Sequence, residues 1–344
     1  MTRKRQLALF GAGLLGLLVI FAVVYRRHSC PTNVVVYAWR LPSGQVFIAE
    51  DSQNRRLQEY RRHEQLDKVV APEPSDFKQI LALAIWASHQ FPPTQPFPIY
   101  PPWNAHVILD WIRAGKTGGY CAQYGLVFGQ ACQSFGFFPR YVDIASPANA
   151  GGHFTTEVYV PSLKQWVVFE PTWGIYYTDE QGRPLDALAL HQFAVGQRKG
   201  RVIERPRQVH AAGWPQMYYY FRYYLRNNFL TVPAFAKLLP NRQVVFAPDR
   251  LAWKDSFTDN EENWHKAVLS ADPSDFRFEL RSIADPVIEC RSPDDLFHVM
   301  ASNPPFLIRK LLISRNNLLR VVSEDMVHDP SYQPLTKKRA RNLL

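Results

Sequence analysis

An α+β fold is predicted by three features of the 344-residue sequence. From 121 to 135, apolar or aromatic side chains fall at Tyr124, Val127, Phe128, Ala131, Cys132 and Phe135, the spacing of one helical face. Three segments rich in β-branched and aromatic residues follow, at 140–144, 153–160 and 166–170, and read as strands. Pro161-Ser162-Leu163-Lys164 is the turn of a hairpin joining the last two, so at least that part of the sheet is antiparallel.

The remaining elements follow in order. Residues 7–25 are 19 apolar residues without a charge, bracketed by Arg3-Lys4-Arg5 and Arg26-Arg27. At 1.5 Å per residue such a helix just spans the hydrocarbon core of a bilayer. A cleaved signal peptide would carry a shorter apolar run and small residues at its cleavage site, whereas this run ends in Val23-Val24-Tyr25-Arg26-Arg27. The expectation is an uncleaved anchor at 1–28. The basic amino-terminal flank favours a cytoplasmic amino terminus and an extracytoplasmic body, periplasmic or cell-surface. Arg55, Arg56, Arg61 and Arg62 oppose that orientation, but they lie within a folded domain.

Residues 33–40 and 45–49 read as strands around a turn at Gly44, and 51–70 as a charged, helical or exposed stretch. Ser75 or Asp76 can cap a helix running to about His89. A Pro-rich connection covers 92–102, and 105–114 reads as a short helix stopped by Gly115. Residues 217–229 hold five Tyr and two Phe interleaved with Arg222 and Arg226. They either rest at a membrane interface or pack against the preceding domain, and packing is the expectation. Residues 304–322 read as a long helix, and the chain ends in a basic tail.

Composition bounds the function. Hydrophobic residues make up 47% and charged residues 20%, which excludes wholesale disorder. The net charge of +10 favours acidic partners, but no basic-aromatic motif of a nucleic-acid binder accompanies it, so no nucleic-acid partner is expected. The four cysteines, at 30, 121, 132 and 290, form neither a disulfide scaffold nor a zinc pattern. No metal or cofactor is expected. Cys121 and Cys132 lie on one helical stripe about 16 Å apart and cannot pair with each other.

Chemistry concentrates at Cys121. A helix amino terminus favours thiolate over thiol, and its first-turn N–H groups lack intrahelical partners and can serve an oxyanion hole. Such a thiolate needs a histidine to share its proton, and the histidine needs a carboxylate or amide to hold its tautomer. The hairpin supplies both. With a turn at 161–164, Val160 faces Gln165 and Thr155 faces Glu170. His153 shares the face of Thr155, which makes it a diagonal neighbour of Glu170 at about 7 Å. Glu157 lies on the same face, where a second orienting carboxylate competes with an ordinary salt-bridged role.

At these residues the chain resembles the transglutaminase-like cysteine enzymes of the papain-like superfamily, in bacterial form. The matching segments are GGYCAQYGLVFGQACQSFGFFPRYV at 118–142, GGHFTTEVYV at 151–160 and WVVFEPTWG at 166–174. The resemblance covers about residues 75–190. It implies Cys121 as nucleophile, His153 as general base and acid, Glu170 as the orienting acid, and Trp86 as a counterpart of the family's upstream, oxyanion-stabilising Trp. Glu170 stands where the family usually has Asp, and a longer carboxylate can still orient an imidazole.

The expected organisation is an anchor at 1–28, a transglutaminase-like catalytic domain at 29–204, and an α-rich extension at 205–344. The expected function is thiol acyl chemistry on an amide of a protein or peptide, by a peptidase, an amidase or a glutamine cross-linker. The alternative is a catalytically weak or inactive module that binds peptide or polysaccharide in a cell envelope.

Overall fold

Polar side chains set the helix starts. Asn54, Ser75 and Asn104 each accept a backbone N–H of the following first turn. They open helices α1 (Arg55–His63), α3 (Asp76–Ser88) and α4 (Ala105–Arg113), with a short α2 (Leu66–Val70) after α1. Gly115, at φ +68°, follows the end of α4. Helix α5 (Cys121–Ser134) is the central one, buried from Gly125 to Ser134.

The computed structural model describes residues 34–41, 46–92, 101–147, 149–210, 214–230, 243–246, 268–278, 280 and 288–290. The apolar run at 7–25, the helix expected at 304–322 and the basic tail lie outside them. Among the described residues no helix is long and apolar enough to cross a membrane.

Strands β1 (Val34–Arg40) and β2 (Val46–Ala49) pair antiparallel, and β11 (Ile288–Cys290) adds to the other edge of β1. The large sheet is built on β3 (Phe138–Ser146), β4 (Asn149–Val160) and β5 (Gln165–Glu170). Strands β6 (Ile175–Thr178), β7 (Ile203–Arg205), β8 (Tyr220–Tyr224), β9 (Gln243–Phe246) and β10 (Val268–Ser270) complete it in the order β10-β9-β8-β3-β4-β5-β6-β7. Pairing is antiparallel except between β9 and β10. The β4–β5 register sets Val160 against Gln165, as the four-residue turn requires.

Two cores lie on the two faces of this sheet. On one face, Phe154, Val158, Val160, Val167 and Phe169 pack against Leu83, Ile108, Leu126 and Phe128 of the helices. On the other, Tyr159, Trp166, Val168 and Tyr177 pack against Leu188 and Leu190 of α6 (Ala187–Ala194) and against Tyr218, Phe221 and Tyr223. Period-2 alternation along β4 and β5 therefore feeds both cores. A buried ion pair crosses the second one. Arg140 donates to Glu157 at 2.6 Å, Glu157 accepts Ala187 N–H at 2.7 Å, and the guanidinium lies over the Trp166 ring at 4.0 Å. Burial pushes the Glu157 carboxyl up against the pull of Arg140. Glu157 is thus the salt-bridged residue rather than a second partner of the histidine.

Most of the α-rich extension expected beyond 204, its helix at 304–322 included, lies outside the described residues. Its described elements are mainly strands, with one short helix α7 (Pro273–Phe276). Strand β8 pairs with β3 in the middle of the sheet, so strands from both sides of position 204 share one sheet. The Tyr-rich segment packs inward, as expected, with Tyr218, Phe221, Tyr223 and Tyr224 buried. Its arginines are buried too. Arg222 pairs with Asp143, and Arg226 donates to Asn228, with burial lowering its pKa to about 9 against the charge of Glu50. Asn227 N–H and Ile48 C=O, 3.0 Å apart, tie this segment to β2.

Candidate active site

Helix α5 presents Cys121 at its first turn. Tyr120 is the N-cap residue, and the Gln123 side chain reaches back to accept its N–H at 2.8 Å, half of a capping box. The helix lies close on the sheet because two positions lack a side chain. A Cβ on Gly125 would meet Phe154 Cε1 at 2.6 Å, and one on Gly129 would meet Tyr141 Cε1 at 2.6 Å. Cys121 is half-buried, whereas Cys132 is fully buried and burial raises its pKa strongly. Of the two, only Cys121 is placed to react.

His153 and Glu170 come from adjacent strands. Gly152, at φ +74°, turns the backbone just before His153. The His153 Nε2–H donates to Glu170 Oε2 at 3.0 Å, with the carboxylate fully buried and the imidazole 9% exposed. That leaves Nδ1 for the thiol. Burial pulls the His153 pKa down, but the charge of Glu170 and hydrogen bonds with Cys121 and Glu170 outweigh it and carry the value to about 10. At neutral pH the ring is therefore an imidazolium. The three residues that the sequence singles out for nucleophile, base and acid thus come together.

Trp86 sits on α3, edge-on to Tyr60 with ring centroids 6.4 Å apart. No hydrogen bond links it to Cys121 or His153 among the described residues. Other aromatic residues surround the imidazole instead. Trp173 stacks on it at 5.1 Å, and Trp214 meets it edge-on at 5.4 Å. Behind them His210 stacks on Trp214 at 4.2 Å, and its Nδ1 bonds Glu204 at 2.6 Å. The second Glu170 oxygen is also held: Tyr218 Oη donates to Oε1 at 2.5 Å. Trp173, within the quoted WVVFEPTWG segment, was open to notice. Trp214 and Tyr218 carry no motif, and contact the site across 61 and 48 residues.

Two further features lie apart from these residues. His63, Glu64 and His106 bring potential ligand atoms within 4.8 Å of one another, but Arg113 donates to both Glu64 oxygens, at 2.7 and 2.5 Å. A cleft of about 280 Å³ lies beside Lys164, Trp166, Arg183, Arg198 and Arg277, near the hairpin tip, where Asp179 and Asp186 pair with its arginines.

The arrangement suits acyl transfer: a reachable thiol at a helix amino terminus, a charged imidazole beside it, and a buried carboxylate fixing the ring. Comparison of this chain with family models, with curated proteins and with solved structures yields no match in any of the three, so the site stands on its own geometry.

Proposed function

We propose that this protein is a thiol-dependent acyl-transfer enzyme acting on amides, with a transglutaminase-like core and a Cys121–His153–Glu170 triad. The observation that carries this reading is the buried His153–Glu170 hydrogen bond, made across adjacent strands beside a half-exposed cysteine at a helix start.

The chemistry follows from the resting charges. The Cys121 sulfur attacks the amide carbonyl carbon, and the C=O electron pair moves to oxygen, where first-turn N–H groups of α5 can stabilise it. As the C–N bond breaks, the His153 imidazolium gives its proton to the departing amine. A thioester remains and His153 is neutral. Water then attacks the thioester carbon while His153 takes a water proton, the C–S bond breaks, and thiolate and imidazolium are restored. Glu170 holds the ring throughout and stays ionised. A lysine-type amine in place of water gives a cross-link by the same steps. Hydrolysis is the default because water is always present.

A peptide-library cleavage and amine-incorporation assay tests this reading. Cys121→Ala and His153→Ala should each abolish turnover while circular dichroism and melting stay near wild type. Turnover retained in either folded variant would sink the mechanism. The uncharged run at 7–25 supports a membrane anchor, with the body outside the cytoplasm. The protein should then sediment with membranes, and a chain lacking 1–28 should not.

A further inference from the structure

Glu170 is a fully buried carboxylate with two oxygens to satisfy. His153 uses Oε2. Oε1 accepts the hydroxyl of Tyr218, which is itself fully buried in the second core. Tyr218 reaches the site from the 3-10 turn Trp214–Tyr219 that leads into β8. Its ring is wedged edge-on against Tyr177, with centroids 5.8 Å apart. Strand β8 is held by its pairing to β3. The hydroxyl is therefore fixed from the same turn whose Trp214 meets the His153 ring edge-on.

We propose that Tyr218 is the positioning residue of the site, a fourth member whose hydroxyl locks the Glu170 carboxylate onto His153. The proposal rests on the acyl-transfer reading for its catalytic meaning, though not for its geometry. A glutamate has one more rotatable bond than an aspartate, so its carboxylate needs a second anchor to present one oxygen to an imidazole without wandering. A hydroxyl donor is suited to the task. It binds the ionised form and carries no charge to compete with the imidazolium. Burial, then the charge of Glu170, pushes the Tyr218 pKa well up, so the hydroxyl stays a donor at any working pH. The other groups facing this carboxylate are few. Tyr177 on β6 is also driven up by burial and by Glu170, and remains neutral. Thr155 gives its hydroxyl to Phe169 C=O at 3.1 Å. With Tyr218 removed, Glu170 Oε1 loses its anchor and the carboxylate is free to swing off Nε2.

Tyr218→Phe deletes only the hydroxyl and keeps the packed ring. The test joins two measurements, kcat and KM on the best amide substrate and the NMR titration of the isotope-labelled His153 ring. They are made in wild type, Tyr218→Phe, Glu170→Gln and the double variant. The expectation for Tyr218→Phe is a fall in kcat of about 10–100-fold, the size seen when the outer partner of an orienting group is removed. KM should be little changed, and the His153 midpoint should fall by a unit or more. In the Glu170→Gln background Tyr218→Phe should add almost nothing to either readout, because its effect passes through the carboxylate. A His153 midpoint that stays or rises in Tyr218→Phe overturns the proposal, as does an undiminished second loss in the double variant. If wild type shows no turnover at all, the acyl-transfer reading fails, while the His153 titration, which needs no substrate, still decides the role of Tyr218.

Discussion

His153 Nε2 and Glu170 Oε2 lie 3.0 Å apart on adjacent antiparallel strands, with the carboxylate wholly removed from solvent. The bond fixes which ring nitrogen keeps its proton when the ring turns neutral, and which faces the thiol. It also makes the acid's reach a variable of the enzyme, because both Glu170 oxygens are engaged.

Glu170→Gln should keep the fold and lower turnover by about 10⁴, the cost of favouring the wrong imidazole tautomer. Glu170→Asp should fall between that variant and wild type. An acid one methylene shorter cannot hold His153 and Tyr218 together on an unchanged backbone. Steady-state kinetics decide it, and an Asp variant as fast as wild type would mean the strands accommodate either acid.

Gly125→Ala should destabilise the protein by about 1–3 kcal/mol in chemical denaturation, as overpacking does. The new methyl would lie 2.6 Å from Phe154 Cε1 in a fully packed layer. Alanine's better helix propensity, about 1 kcal/mol, offsets only part of this. An unchanged or raised midpoint would show that the helix can lift off β4 at little cost.

The stability that His153 contributes should decline as pH rises from about 6.5 to 10. His153 titrates near 10 when folded, because Glu170 and Cys121 outweigh its burial, and near 6.5 in an unfolded chain. At His153 the folded state therefore holds an extra proton between these values. The stabilisation is complete below 6.5 and is lost through 10. Urea midpoints across this range should fall more steeply for Cys121→Ala, in which no thiol proton offsets that of His153, than for Cys121→Ala/His153→Ala, and identical slopes would contradict the imidazolium assignment.

The legible and illegible parts of the site divide by sequence distance. Ser75 announces its helix because a cap and its N–H partner are three residues apart. The four-residue hairpin turn dictates the β4–β5 register, and with it the meeting of His153 and Glu170. Tyr218 is illegible because its partner lies 48 residues away and nothing local distinguishes it from the tyrosines that follow it. The same holds for β8. Arg222 and Arg226 resemble surface residues in a sequence, yet Asp143, Asn228 and their neighbours make burial tolerable. Without that pairing in view, the break in pattern near 204 looked like the end of a domain rather than a return to the middle of the sheet.

The most direct test of the proposed chemistry is the rate of Cys121 alkylation by iodoacetamide near neutral pH, followed by mass spectrometry, with buried Cys132 as the internal comparison. Cys121 should label fast in wild type and Cys132 little. His153→Ala should slow Cys121 labelling to the rate of an ordinary exposed thiol. Wild-type labelling of Cys121 no faster than in His153→Ala would contradict the thiolate–imidazolium pair on which the proposed chemistry depends.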